Sequence, residues 1–101
     1  MVKEFENNDW ALILGGSRGL GLASAKKLAK HGMNICIVHR DRKSDMLEIE
    51  KHFSEIRNDK VALLAFNRDL LRPEHKREML NEFKSILGDT GKVKCLLHSV
   101  A

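Results

Sequence analysis

The chain has 101 residues, 43% of them hydrophobic and 32% charged, with a formal net charge of +4. This length supports one domain with a modest core, and the mild charge fits a solvated, lysine-rich surface or a field that favours an anionic ligand. Scattered Lys and Arg without a single Tyr argue against nucleic acid, no apolar run nears the ~20 residues of a membrane span, and the polar start from Met1 to Asp9 is no signal peptide.

Residues 1–8 read as a lead-in to Trp10–Leu14, an apolar run too short for a helix and bounded by glycines, hence a buried strand. Gly15-Gly16-Ser17-Arg18-Gly19-Leu20-Gly21 follows. A strand, a glycine-rich turn and a helix start in that order form a phosphate-binding device. The first helical turn leaves N–H groups unpaired, and the macrodipole makes that end positive. The spacing is G-x-x-x-G-x-G rather than G-x-G-x-x-G; counted from Gly19, Ser24 stands as a small third residue. The helix Gly19–His31 buries Leu20, Ala23, Ala25, Leu28 and Ala29, turns Lys26, Lys27 and Lys30 to water, and ends at Gly32.

Asn34–Val38 is a second strand, and residues 39–43 are a polar loop. Ser44 is the expected N-cap of a helix whose Met46, Ile49, Phe53 and Ile56 recur at helical spacing. Asn58-Asp59 ends it, Val61–Phe66 is a third strand, and residues 68–72 are a loop. Pro73 opens the next helix, which buries Met79, Leu80, Phe83, Ile86 and Leu87 and exits at Gly88 and Gly91. Val93–Leu97 is the fourth strand.

The order β-α-β-α-β-α-β implies an α/β fold: a Rossmann-type doubly wound parallel sheet with strand order 3-2-1-4 and its ligand crevice at the end of the first strand. Cys36 and Cys95 lie in apolar runs and read as buried thiols of a reducing compartment. In that strand order they stand nearly 10 Å apart, too far for a disulfide. No Cys/His spacing points to a metal.

Ile13-Leu14-Gly15-Gly16-Ser17-Arg18-Gly19-Leu20-Gly21 closely resembles the T-G-x-x-x-G-x-G turn of the short-chain dehydrogenase/reductases, with Leu14 in place of the usual Thr. The charged loop after the second strand, Asp69 after the third and a polar segment ending the fourth extend the resemblance along the whole chain. The resemblance implies that the backbone of Gly15, Gly19, Leu20 and Gly21, with Ser17, holds a pyrophosphate. It puts Arg18 and Arg40 at the adenosine ribose. Where NAD-using members end the second strand with an acidic residue, this chain has His39 followed by Arg40, which implies NADP(H) in preference to NAD(H). Asp69 would accept a bond from the adenine amino group, with Leu70 offering its N–H, unless Asp69 only caps a turn.

His98-Ser99-Val100-Ala101 looks like the H-S-(I/L/V)-(G/A) segment of the enoyl-acyl-carrier-protein reductases, in which Ser99, Val100 and Ala101 would lie along the cofactor ribose. His98 is either a general base or a half-buried residue at a strand end. The family's catalytic Tyr and Lys lie beyond the fourth strand, and this chain has no Tyr, so it carries no expected catalytic residue. Three expectations follow. Residues 1–101 form a single dinucleotide-binding domain, the amino-terminal part of a longer cytoplasmic reductase that is homo-oligomeric when complete. Its reaction is reduction of an enoyl thioester, with a 3-oxoacyl thioester or other ketone as the alternative; a non-catalytic nucleotide-binding module is the reading from another class. Alone, the chain is inactive and folds poorly, because the apolar edge Val93–Leu97 lacks a neighbour.

Overall fold

A computed structural model describes residues 8–15, 17, 19–68 and 72–98. Its elements are β1 (Asp9–Leu14), α1 (Gly19–Lys30), β2 (Asn34–His39), a 3-10 turn (Lys43–Asp45), α2 (Met46–Arg57), β3 (Leu63–Asn67), α3 (Pro73–Leu87) and β4 (Lys92–His98). The strands are all parallel, in the order β3-β2-β1-β4. This is the doubly wound α/β sheet that the alternating strand and helix signals imply.

Pleating separates two cores. Ala11 and Ile13 of β1 and Ile35 and Ile37 of β2 join Leu22, Ala25, Ala29, Ile49, Phe53 and Ile56 under α1 and α2. Trp10, Cys36, Val38 and Phe66 instead pack on Met79 and Phe83 of α3, with Trp10 edge-on to Phe83 at 5.5 Å between ring centroids. Both central strands are thus covered on both faces, which is why they read as unbroken apolar runs.

The geometry departs from the sequence reading at several points. In α1, Leu22 rather than Leu20 enters the core; Leu20 is 71% exposed, and Ala23 also faces solvent. Ser44 caps nothing: it lies inside the 3-10 turn, and the residue preceding α2 is Asp45, without a side-chain cap bond. β3 begins at Leu63, because the N–H of Ala62 is taken by the Asn34 side chain before the ladder starts. In α3 only Met79 and Phe83 are fully buried, while Leu80 and Ile86 are 43% and 48% exposed; α3 covers the sheet along a narrow stripe. Cys36 on β2 and Cys95 on β4 are both free thiols, separated by β1, although Cys95 is only half-buried. β4 edges the sheet, and its register against β1 shifts between Trp10 and Ala11.

Just before β4, at the same end as that shift, Gly91 is required by close approach. A Cβ there would lie 2.6 Å from the carbonyl oxygen of Leu87, inside the turn that returns α3 to the sheet.

Candidate functional site

The glycine loop leaves β1 at the carboxyl end of the sheet, next to the point where strand order reverses. The N–H of Gly15 donates to the carbonyl of Val38 at 2.7 Å, one step beyond the β1–β2 ladder. The chain then rises into α1 through Gly19, whose φ of +55° suits glycine and whose Cβ position would meet nothing within 4 Å. The space before the first turn of α1 is therefore open, and that turn carries no acidic residue to offset its positive end. Gly21 is buried in the same turn, and Leu20 is exposed. These features fit a pyrophosphate held by backbone N–H groups.

Beside the loop stands a polar cluster built from three segments. Ser17 is 7% exposed, and its Oγ donates to Asp41 Oδ2 at 2.6 Å. The same carboxylate oxygen lies 2.9 Å from His39 Nδ1, and the two side chains are 1% (His39) and 7% (Asp41) exposed. With a carboxylate as partner, Nδ1 carries the hydrogen and donates it. His39 is thus the last residue of β2 rather than a loop residue, and its ring packs edge-on to Phe53 at 5.5 Å.

Asp41 is held from behind by Asn67 at the end of β3. Asn67 Oδ1 accepts from the N–H of Asp41 at 3.0 Å, and Nδ2 donates to the carbonyl of Asp41 at 3.0 Å. The N–H of Arg68 donates to the carbonyl of His39 at 2.9 Å. A side-chain amide thereby continues the β2–β3 ladder past its last strand pair, His39 with Asn67. Arg40, between the two anchored residues, is exposed.

A half-open cavity of about 300 Å³ lies against this cluster, lined by Ser17, Gly19 and Leu22 on one side and Asp45, Glu48, Ile49 and His52 on the other. One of these lining residues, His52, accepts from Lys26 Nζ at its Nδ1 at 2.9 Å, and Lys26 also pairs with Glu55 at 2.9 Å. The Lys26 ammonium holds the Glu55 carboxyl below its ordinary range, through the hydrogen bond and its charge.

The structure thus brings Gly15, Ser17, Gly19, Leu20, Gly21, His39 and Arg40 to one end of the sheet. His98, at the end of β4, is exposed rather than half-buried. Arg18, Asp69, Leu70, Ser99, Val100 and Ala101 lie outside the described residues. Sequence reasoning missed Asp41 and Asn67. Asp41 looked like one charge among several in a loop, and its anchor stands 26 positions away with no local signal.

Comparison with known proteins bears on this arrangement. A sequence profile described as short chain dehydrogenase matches residues 9–101. A 7beta-hydroxysteroid dehydrogenase of Clostridium sardiniense is 32% identical over 88 residues, covering 86% of this chain and 33% of that protein. A very-long-chain 3-oxoacyl-CoA reductase-like protein of Arabidopsis thaliana is 34% identical over 59 residues, covering 57% of this chain and 19% of its own length. A Burkholderia cenocepacia protein solved with bound NADP superposes with a TM-score of 0.75 at 20% identity, covering 96% of this chain and 36% of that one. The chain spans about a third of the length of the hydroxysteroid dehydrogenase.

Proposed function

We propose that this chain, which belongs to the short-chain dehydrogenase family, supplies the dinucleotide-binding part of an NAD(P)H-dependent oxidoreductase. The observation that carries the reading is the glycine turn into α1: a glycine at φ +55° with nothing within 4 Å of its Cβ position, at the start of a helix whose first turn contains no acidic residue. A pyrophosphate there gains backbone hydrogen bonds and the helix field together. When bound, the nicotinamide would supply the hydride, and the glycine loop of this chain would hold the dinucleotide by its pyrophosphate.

For the cofactor, NADP(H) is favoured. Arg40 is exposed one residue past the end of β2, and Arg18 belongs to the loop itself. A guanidinium pairs with a 2′-phosphate through two charged hydrogen bonds. Support also comes from the Burkholderia protein of the same fold, which was solved with NADP. Arg40→Ala should weaken NADP(H) binding by roughly one to two decades and leave NAD(H) nearly unchanged. Calorimetric titration with both cofactors tests this, and an unchanged preference in Arg40→Ala refutes it.

For the substrate, the names of the two curated relatives, a hydroxysteroid dehydrogenase and a 3-oxoacyl-CoA reductase-like protein, support a carbonyl–alcohol interconversion. The second reading, reduction of an enoyl thioester, is favoured by the sequence His98-Ser99-Val100-Ala101. NADPH oxidation by the protein that carries this chain, offered a 3-oxoacyl thioester, a ketosteroid and an enoyl thioester in parallel, separates them. Turnover of the enoyl thioester alone would reverse the order.

A further inference from the structure

Asn67 ends β3 and is exposed, yet its side chain joins three elements. The amide accepts from the N–H of Asp41 and donates to the carbonyl of Asp41, each at 3.0 Å. Its Nδ2 also lies 3.8 Å from Sδ of Met46, the first residue of α2. One residue past Asn67, the N–H of Arg68 donates to the carbonyl of His39 at 2.9 Å. From the other side of β2, the N–H of Gly15 donates to the carbonyl of Val38 at 2.7 Å. The main chain on either side of Arg40 is therefore fixed against β3, and the same end of β2 is tied to the first glycine of the loop.

We propose that Asn67 is a positioning residue for the dinucleotide: through the main chain of Asp41 it holds Arg40 in place relative to the glycine loop, so that little of the arginine is left to order when the cofactor binds. The inference rests on the reading that Arg40 takes the 2′-phosphate. A side-chain amide presents the same pair of groups as a peptide, one acceptor and a donor, and here it bonds Asp41 as a further residue of a partner strand would. The last strand pair is His39 with Asn67, so the amide carries the support of β3 past Arg40. A strand end without such a partner frays. An arginine on a fraying end samples many main-chain positions in addition to its own rotamers. Its paired bonds to a phosphate need a set plane and reach, and ordering that freedom on binding lowers affinity. With the main chain clamped beforehand, only the side chain remains to be ordered. A ribose with a free 2′-hydroxyl does not draw on the guanidinium in this way, so the clamp matters for NADP(H) and little for NAD(H).

The test is a double-mutant cycle of Asn67→Ala and Arg40→Ala in the full-length protein, with thermal unfolding to establish that each variant is folded at the temperature of titration. Dissociation constants of NADP+ and NAD+ are measured by calorimetry, and 2′-AMP and 5′-AMP probe the ribose end alone. Asn67→Ala should weaken NADP+ and 2′-AMP by about three- to tenfold and leave NAD+ and 5′-AMP within about twofold. Once Arg40 is alanine, Asn67→Ala should have no further effect on NADP+. A general loosening of the sheet would instead weaken both dinucleotides alike, with or without Arg40. Asn67→Gln, which keeps the amide on an arm one methylene longer, is the second variant if Asn67→Ala does not stay folded, and should shift NADP+ in the same direction. NADP+ affinity unchanged on substitution of Asn67, an equal loss for both dinucleotides, or an undiminished effect in the Arg40→Ala background overturns the proposal while leaving the reading of Arg40 intact. If Arg40→Ala itself leaves NADP+ affinity unchanged, that reading fails, and this proposal with it.

Discussion

Asn67→Ala removes the amide that extends the β2–β3 ladder. It deletes two hydrogen bonds of 3.0 Å to the main chain of Asp41 and leaves the apolar core untouched. Each bond is worth a net ~0.5–1.5 kcal/mol, and because Asn67 is exposed, water reaches the freed N–H and C=O. The expected loss is therefore about 1–3 kcal/mol, without the larger penalty of a buried, unsatisfied group. Urea unfolding at constant m measures it. Native-state hydrogen exchange at the Asp41 amide should accelerate together with the loss of stability. Asn67→Asp keeps one acceptor for the Asp41 N–H but turns a carboxylate oxygen toward the Asp41 carbonyl, so it should cost at least as much. A change below about 0.3 kcal/mol in Asn67→Ala, or an Asp41 amide equally protected in both proteins, would show that the clamp does not hold the loop.

Gly91→Ala forces a Cβ to within 2.6 Å of the Leu87 carbonyl oxygen, which is main chain and cannot rotate away. We expect a loss of about 1–3 kcal/mol by urea unfolding, and a change of a few tenths would mean the turn shifts freely. Burial raises the Cys36 thiol from 9.0 to about 12. The stability from keeping it neutral is complete below pH 9 and falls away as pH rises from 9 to about 12, by roughly 4 kcal/mol at most. Cys36→Ala should flatten that alkaline decline, and an identical slope in wild type and variant would assign it to other groups.

Much of the fold was legible because the central strands are apolar on both faces. Trp10–Leu14 and Asn34–Val38 stand out as strands bracketed by turn residues, and Pro73 opens α3 as its fixed φ requires. Phase was harder to read. The glycine-rich first turn of α1 contains too few side chains to show which face is inward, so Leu20 and Leu22 were interchangeable on pattern alone. Leu80 and Ile86 carry the right spacing on α3, but burial also needs a partner surface, and α3 meets the sheet only through Met79, Phe83 and their neighbours. The glycine loop was readable as a phosphate site because its chemistry is local and main-chain. The Ser17–Asp41–His39 cluster was not, because it is assembled by a bond from the far end of β3.

The position of β1 in the middle of the sheet, between β2 and β4, also bears on the order in which the molecule can assemble. The contact of Trp10 with Asn34 closes a short crossover, whereas that of Asp9 with Lys92 joins residues much farther apart in sequence. Loop-closure entropy makes the second about 1 kcal/mol harder to form than the first. A transition state built on β1, α1 and β2, then extended by α2 and β3, pays only local closures before hydrophobic burial rewards it. Ser17, His39, Asp41 and Asn67 all lie in that leading segment. The polar cluster can thus form before α3 and β4 are in place, and β4 then docks beside a site already made.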